Sequence, residues 1–464
     1  MKTINLPQFN AFAADQAADR DRRAFVRQSL NGYAEVRRGT ESRFADHEAA
    51  RTLASHIKWH AVEHLDEHLS QFASKLEARG ATVFWAEDAH AAQDYILGLL
   101  NKLHAKVIVK SKTMTSEEIH LNELLERKGF EVIESDLGDF IVQLRRESAS
   151  HFVFPAMHLR RDEIGRTFED RLGERAGTHP EALTMVARRV LREKFLKADV
   201  GITGANFAIA ETGMISITEN EGNARLTFSL PRVHIAIVGV EKVLPRVSDL
   251  ALFLPMLAAA GTGQHLTGYN SLIAGPRRPG ETDGPEQMHV ILLDNGRTNL
   301  LADPVERDAL RCIRCGACLN VCPVFRTVGG HAYGSTYQGP IGSVITPHMR
   351  NMQEWRHLAH ASSLCGACTA TCPIRIDLHH HLLRTRALGA AHAGFRERLG
   401  MKLFTLVMTR PRLYRIASRL ARIGHVLGKP LRGTRFDPLR AWRVTRDFPD
   451  PAKKTFRSMW GRRG

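Results

Sequence analysis

The chain has 464 residues, 43% hydrophobic and 25% charged, a composition that fits a folded protein of two or three domains and excludes wholesale disorder or a fibrous chain. No charge-free apolar run reaches the roughly 18 residues a spanning helix needs. The net charge of +16 is uneven: Arg384 to Gly464 holds 21 Lys and Arg against 4 Asp and Glu, while the first 383 residues hold 44 against 45, which argues against a protein that coats nucleic acid uniformly and marks a basic tail.

The N-terminal stretch MKTINLPQFNAFAADQAADRDRR has no apolar core, which predicts no secretory leader and a cytoplasmic location. Residues 1–80 read as a helical region. Between Glu48 and Gly80, Leu53, Ile57, Leu65, Leu69, Phe72 and Leu76 recur near a 3.6 period. His56, His60, His64 and His68 share one helix face. No Cys or dense carboxylate cluster joins them, so they read as a solvated face rather than a metal site. Residues 81–300 alternate between strand and helix patterns. Strands are predicted at 81–86, 105–109, 130–133, 207–210, 214–218, 234–240 and 289–293, with helices at 89–104, 116–128 and through to about 198. This order predicts an α/β domain with a largely parallel sheet. The apolar stretch Leu250 to Gly261 is short, and Pro255 reads as a break in it. Residues 301–385 hold the cysteines. Residues 386–464 predict basic amphipathic helices with breaks at Pro411, Gly428–Pro430 and Pro449–Pro451.

All seven cysteines fall between Cys312 and Cys372, which signals metal rather than a disulfide framework. Residues 312–323 read CIRCGACLNVCP, the C-x2-C-x2-C-x3-C-P run of a [4Fe–4S] cluster. Zinc sites use paired C-x2-C units instead. Residues 362–373 read SSLCGACTATCP, which repeats the pattern with Ser362 in place of the first Cys. In two-cluster ferredoxins the fourth Cys of each run ligates the other cluster. That rule assigns Cys312, Cys315, Cys318 and Cys372 to cluster 1, and Cys322, Cys365 and Cys368 to cluster 2. Two [4Fe–4S] clusters are the first expectation. Three readings of the missing ligand stay open. Ser362 or a nearby His360 or His379 to His381 completes the cube, the site holds [3Fe–4S], or one iron keeps an exchangeable ligand.

In the α/β domain, VIVKSKTMTSEE at 107–118 reads as strand, loop, helix, with Thr115 as N-cap and Glu118 at capping-box spacing. Lys110 and Lys112 are candidate anion ligands beside that helix start. Residues 201–225, GITGANFAIAETGMISITENEGNAR, show turns at Thr203–Gly204 and Thr212–Gly213 and a polar strip. Thr203, Glu211, Glu219 and Asn223 join the candidate pocket, and Glu221 is a further acid/base candidate. Neither G-x-G-x-x-G nor a P-loop occurs, so nicotinamide and ATP are not indicated. The basic segment 401–426 suits docking to an acidic partner first and peripheral membrane contact second. No nucleic-acid motif accompanies it.

With these motifs in view, the chain resembles the lactate-utilisation iron–sulfur proteins of the LutB type. The resemblance rests on GITGANFAIAETG and EGNARLTFSLPRVHIAIVGVEK within 201–242 and on both cysteine runs. It implies a LUD domain folded like the sugar-phosphate isomerase and CoA-transferase group, followed by an all-α di-cluster ferredoxin module and a basic helical tail. That module resembles those of succinate dehydrogenase and glycolate oxidase iron–sulfur subunits. The resemblance also implies a complex that oxidises L-lactate to pyruvate, with a CCG-domain protein and a second LUD-domain protein as partners. The gap at Ser362 is part of the resemblance. The first functional reading is an electron-transfer subunit, cytoplasmic or peripheral to the inner membrane face. The second puts the 2-hydroxy-acid dehydrogenase site in the LUD domain itself. A redox-sensing regulator is the third and has no DNA-binding motif behind it.

Overall fold

Ten strands occur among the described residues: β1 (Thr82–Ala86), β2 (Val107–Lys110), β3 (Glu131–Glu134), β4 (Val200–Gly204), β5 (Phe207–Ile209), β6 (Met214–Glu219), β7 (Val233–Gly239), β8 (Val243–Leu244), β9 (Tyr269–Ile273) and β10 (Gln287–Leu293). The computed structural model describes residues 5–175, 177–437, 439–443, 446, 449–452, 454 and 456–460. It contains two units, Met1–Gly389 and Ala390–Gly464.

The main sheet has the order β1-β10-β7-β4-β2-β3, and every pairing in it is parallel. All seven residues of β7 are buried. Ile235 and Ile237 pack on one face with Ile96, Leu100 and Ile108. Ala236 and Val238 pack on the other with Phe72, Leu76 and Val290. Burial on both faces explains why residues 235–240 read as an unbroken apolar run. The chain leaves β2 for β3 on one side and returns to β4 on the other, so the sheet has a switch point between β2 and β4. Open α/β sheets bind ligands outside the carboxyl ends of strands at such a point.

A second sheet, β8-β5-β6-β9, flanks the first. The sequence pattern missed β9, because Tyr269, Asn270 and Leu272 are exposed and the strand has only Ile273 fully buried. Thr203 and Gly204 are the last residues of β4 rather than a turn. Thr115 lies inside the helix Met114–Glu118, whose N-cap is Thr113. Its hydroxyl bonds to the Ile237 carbonyl at 3.2 Å. The helix predicted over 116–128 is broken at His120 (φ 51°), and a second helix runs Leu121–Arg127. Pro255 lies within a continuous helix, Leu250–Thr262. Burial of Leu250, Phe253 and Met256 on the core side outweighs the lost N–H.

Four helices precede the sheet: α1 (Leu6–Ala18), α2 (Arg20–Glu41), α3 (His47–Glu63) and α4 (Leu65–Glu77). Helix α4, together with Ala61 of α3, packs on the sheet core. The other three wall in the cysteine region. Phe9 meets the Tyr333 ring edge-on at 6.1 Å, and Arg51 Nη2 donates to the Cys372 carbonyl at 2.8 Å. His60, His64 and His68 gather with ring centroids 4.5–6.4 Å apart. His56 and His60 are exposed, and His64 and His68 are half-buried. In the second unit, the helices Phe395–Thr409 and Pro411–Leu427 have no buried residue.

Lys110 and Glu134 form a buried ion pair at 2.7 Å across the β2–β3 pairing, and Ser116 Oγ accepts from Lys110 Nζ at 2.9 Å. Glu134→Ala is expected to cost about 3–5 kcal/mol, because it strands a buried ammonium. The double variant Lys110→Met, Glu134→Met should recover most of that loss. Guanidinium unfolding midpoints check both, and an additive loss in the double variant contradicts the account.

Candidate functional site

The two cysteine loops repeat one backbone. Gly316 (φ 79°, ψ −5°) and Gly366 (φ 77°, ψ −6°) open the short helices Ala317–Val321 and Ala367–Thr371. Arg314 (φ 59°) and Leu364 (φ 55°) sit two residues earlier in matching left-handed turns. Cys322 (φ −72°, ψ 118°) and Cys372 (φ −67°, ψ 120°) end the helices in extended backbone. A β-carbon at Gly316 would lie 2.7 Å from Val153 Cγ2, so both the turn and the packing call for glycine there. The two helices pack against each other, which brings the loops together.

All seven cysteines are free thiols. Cys315, Cys318, Cys322, Cys368 and Cys372 are buried, Cys312 is half-buried and Cys365 is exposed. Mutual electrostatics divide them into two sets. Burial, then the charge of Cys312, pushes Cys315 up to about 12. Cys318 is raised by burial and then by Cys312, Cys315 and Cys372. Burial raises Cys372 to about 11, and Cys312 adds to the rise. Burial raises Cys368 to about 11 as well, but there Cys322 and Cys365 contribute. Each set therefore draws on both loops.

Thiols crowded in this way resist ionising one at a time. They suit a polynuclear cation that neutralises them together. Backbone N–H groups point at sulfur: Arg314 N to Cys312 Sγ at 3.4 Å, Phe325 N to Cys322 Sγ at 3.5 Å and Ile376 N to Cys372 Sγ at 3.4 Å. All-sulfur donors with N–H···S bonds fit iron–sulfur clusters. Ser362 repeats the environment of Cys312. Its Oγ accepts from Leu364 N at 3.1 Å, as Cys312 Sγ accepts from Arg314 N. The candidate histidines are engaged elsewhere. His379 Nδ1 meets Thr369 Oγ1 at 2.8 Å, and His380 Nδ1 meets Asp377 at 2.6 Å. His381 is clasped by Asp308 at 2.8 Å and Glu306 at 3.0 Å, and His360 is exposed.

A cavity of about 370 Å³ lies at the β2/β4 switch point. Its wall includes Lys112 and Thr113 after β2, Ala205 and Asn206 after β4, Glu241 and Lys242 after β7, and Arg314 and Cys315 of the first cysteine loop. Of the residues read from the sequence, Lys112, Glu219, Glu221 and Asn223 line it. Lys110, Thr203 and Glu211 do not. Lys110 is held by Glu134, Thr203 bonds to His234 Nε2 at 2.7 Å, and Glu211 accepts from Val247 N at 2.9 Å on an exposed turn. Glu219 accepts from Ala224 N at 2.7 Å and Arg225 N at 2.9 Å, shaping the loop that carries Asn223. Burial, reinforced by Asp136, raises Glu221 to about 7.

Behind the cavity runs a chain of buried charges. Arg297 Nη1 and Nη2 each donate to Glu118 at 2.9 Å, and Arg297 Nε donates to Glu241 Oε2. The other Glu241 oxygen accepts from Arg314 Nη2 at 3.1 Å. Tyr337 OH donates to Glu118 at 2.6 Å, and the Arg314 guanidinium lies 4.5 Å over the Tyr337 ring. Burial alone would raise Glu241, but Arg297 and Arg314 hold it at about 2. Burial lowers Lys242 to about 8, against the pull of Glu241.

Comparison with known proteins gives a consistent assignment. Residues 69–293 match the LUD domain, 308–376 a 4Fe-4S dicluster domain, and 379–464 the C-terminal region of lactate utilisation protein B. The lactate utilization protein B of Bacillus subtilis is 43% identical over 427 residues, covering 89% of this chain and 87% of that protein. That of Oceanobacillus iheyensis is 42% identical over 461 residues, covering 97% and 95%. The chain belongs to the lactate utilization protein B family. A solved DUF162 family protein from Deinococcus radiodurans is also similar, at 15% identity and a TM-score of 0.28 over 49% of this chain and 98% of that one, a likeness too slight to carry an argument. As a lactate utilization protein B family member, the chain carries an iron–sulfur domain, and its cavity straddles two of the matched regions. Lys112 and Lys242 come from the LUD match, and Arg314, Cys315 and Tyr337 from the dicluster match.

Sequence reasoning missed Glu241, Lys242, Arg297, Arg314 and Tyr337. A signal existed for three of them. Glu241 and Lys242 directly follow the apolar run at 235–240, and Arg314 sits between two metal-type cysteines. Nothing local marked Arg297 or Tyr337.

His381 supplies a pH test. Burial opposes its protonation, but Asp308 and Glu306 outweigh this and lift it from 6.5 to about 9. A raised histidine stabilises the fold fully below pH 6.5, and the gain is lost as pH rises through 9, in total about 3 kcal/mol. The wild-type unfolding midpoint should therefore fall more steeply between pH 6.5 and 9 than that of His381→Gln. Equal slopes would remove the basis of this account.

Proposed function

We propose that this chain is the iron–sulfur electron-transfer subunit of a multi-protein system that oxidises L-lactate to pyruvate. The observation that carries the reading is the pair of cysteine loops that repeat one backbone and pack against each other, gathering seven free cysteines in one place. The curated relatives bear the name lactate utilization protein B, which supports lactate as the electron source. When bound, the clusters supply one-electron carriers. Conversion of lactate to pyruvate releases two electrons and two protons, so a pair of such carriers matches the stoichiometry.

In this reading Cys312, Cys315, Cys318 and Cys372 hold a [4Fe–4S] cluster beside the cavity. Cys322, Cys365 and Cys368 hold a second cluster, with Ser362 Oγ at the fourth corner. Exposure of Cys365 favours electron exit on that side. A CCG-domain protein and a second LUD-domain protein are the proposed partners. The helix Pro411–Leu427 offers exposed Ile416, Leu420, Ile423 and Leu427 beside Arg412, Arg415 and Arg419, a stripe suited to an acidic partner subunit. No described helix is long and apolar enough to cross a membrane, and peripheral membrane contact through the same stripe ranks second.

Iron and sulfide analysis with low-temperature EPR on the anaerobically purified chain tests this. Two clusters are expected, reducible by dithionite, and reducible by L-lactate once the partner proteins are added. Ser362→Cys should leave the first cluster's signal unchanged and give the second the signature of a fully cysteine-ligated [4Fe–4S] centre. One cluster per chain, or a second-cluster signal unmoved by that substitution, contradicts the assignment.

A further inference from the structure

We infer that the cavity between the β2/β4 switch point and the first cysteine loop is a binding site for a small organic monocarboxylate of the 2-hydroxy or 2-oxo acid class. The inference rests on the electron-transfer reading only in supplying lactate as the relevant anion. The site itself follows from unmatched charge.

Arg314 is 9% exposed, and only one of its three nitrogens has a partner. Nη2 is held by Glu241, while Nε and Nη1 have no hydrogen-bond partner. Buried donors are almost always satisfied, and a guanidinium short of acceptors is costly. Arg314 also lines the cavity. Lys242 lines it too, and no ion pair joins Lys242 to a carboxylate among the described residues. Glu241, the carboxylate whose charge acts on both, already has one oxygen on Arg297 and the other on Arg314. Two cations therefore face a cavity with too few acceptor oxygens between them. A carboxylate brings one negative charge and two such oxygens, and it suits a guanidinium–ammonium pair.

The rest of the lining narrows the class. Asp136, Glu219 and Glu221 share the cavity. Their charges disfavour a ligand with a second negative group, such as a dicarboxylate or a phosphate dianion. Glu221 uses Oε2 to accept from Leu137 N at 3.1 Å, leaving Oε1 for a ligand hydroxyl. Lys112, whose Nζ donates to the Val153 carbonyl at 2.7 Å, offers a donor to an adjacent oxygen. The volume of about 370 Å³ is at the small end of ligand cavities, which run roughly 300–1,000 Å³. Because Cys315 is itself part of the wall, a ligand here lies against the first cluster.

The test uses the full chain with its clusters, titrated calorimetrically under anaerobic conditions with L-lactate, pyruvate, oxalate and inorganic phosphate. EPR spectra of the dithionite-reduced protein are recorded with and without each. One site per chain is expected, with L-lactate and pyruvate binding at least roughly tenfold more tightly than oxalate or phosphate. Saturation should alter the EPR signal of the first cluster and leave that of the second. Lys242→Met should weaken binding at least roughly tenfold at unchanged iron and sulfide content, and Lys242→Arg should restore part of it. Arg314→Gln should also weaken binding, but it borders the cluster ligands, so Lys242→Met is the deciding variant. The inference is overturned by any of three results: no saturable binding, equal binding in Lys242→Met, or oxalate and phosphate binding as well as lactate. If Arg314 merely balances the charge of the first cluster, the first of these is observed. Iron and sulfide content in the same samples reports separately on the electron-transfer reading. Two clusters without binding overturn the site alone, and one cluster with binding overturns the relay alone.

Discussion

The structure turns on a buried line of alternating charge, Glu118–Arg297–Glu241–Arg314. All four side chains are nine-tenths or more out of water. Removal of charge from water costs several kcal/mol per ion, so each member is tolerable only because its neighbours are present. Glu118 ends the helix after β2, Glu241 follows β7, Arg297 follows β10 and Arg314 lies between two cysteines. The line therefore fastens three strand ends of the parallel sheet to the first cysteine loop. It also fixes the distance between them. The strand ends cannot close down on the loop without breaking the line, and the space they leave is the cavity.

The cysteine loops show a different economy. Two segments about fifty residues apart in sequence adopt the same left-handed turns, the same glycine-led helix and the same extended exit. Side chains distinguish them. The first loop is buried behind α2 and the helix Leu250–Thr262, while the second reaches solvent at Cys365. The same backbone thus gives one sheltered centre and one accessible centre. At Ser362 the repeat changes the donor atom while keeping the hydrogen bond that orients it.

Much of this was legible in the sequence, for definite reasons. The parallel sheet announced itself through buried apolar runs such as β7, and the cysteine spacing is a local code. The cavity was only half legible. Lys112 and Asn223 lie on the polar segments that follow strands and Glu219 ends β6, places where a ligand is expected. Lys110 looked equivalent to Lys112, but β2 ends at residue 110, which is still paired within the sheet and meets Glu134 on the neighbouring strand, while residue 112 lies in the loop beyond. Thr203 was lost in the same way. Arg297 and Tyr337 were invisible because their importance arises from contacts between segments distant in sequence, and no local pattern encodes such contacts. The exposed edge strand β9 was missed because it lacks the apolar alternation by which strands are recognised.

The N-terminal helices carry a consequence for biosynthesis. Phe9, Val26 and Leu30 belong to the same core as Phe325, Tyr333 and Ile345. Helices α1 and α2 thus emerge from the ribosome with an apolar face whose covering comes partly from Phe207, Leu250 and Phe253 and partly from residues some three hundred positions further on. At the usual rate of roughly 5–20 residues per second, that face waits on the order of tens of seconds. The nascent sheet domain can close on α4 and on Ala61 of α3 in the meantime, but the core that holds α1 and α2 is complete only when the second cysteine loop has been translated. Iron delivery and the docking of the oldest part of the chain are therefore late events of the same moment. Until the cysteine loops are in place, α1 and α2 are the part of the chain whose packing is completed last.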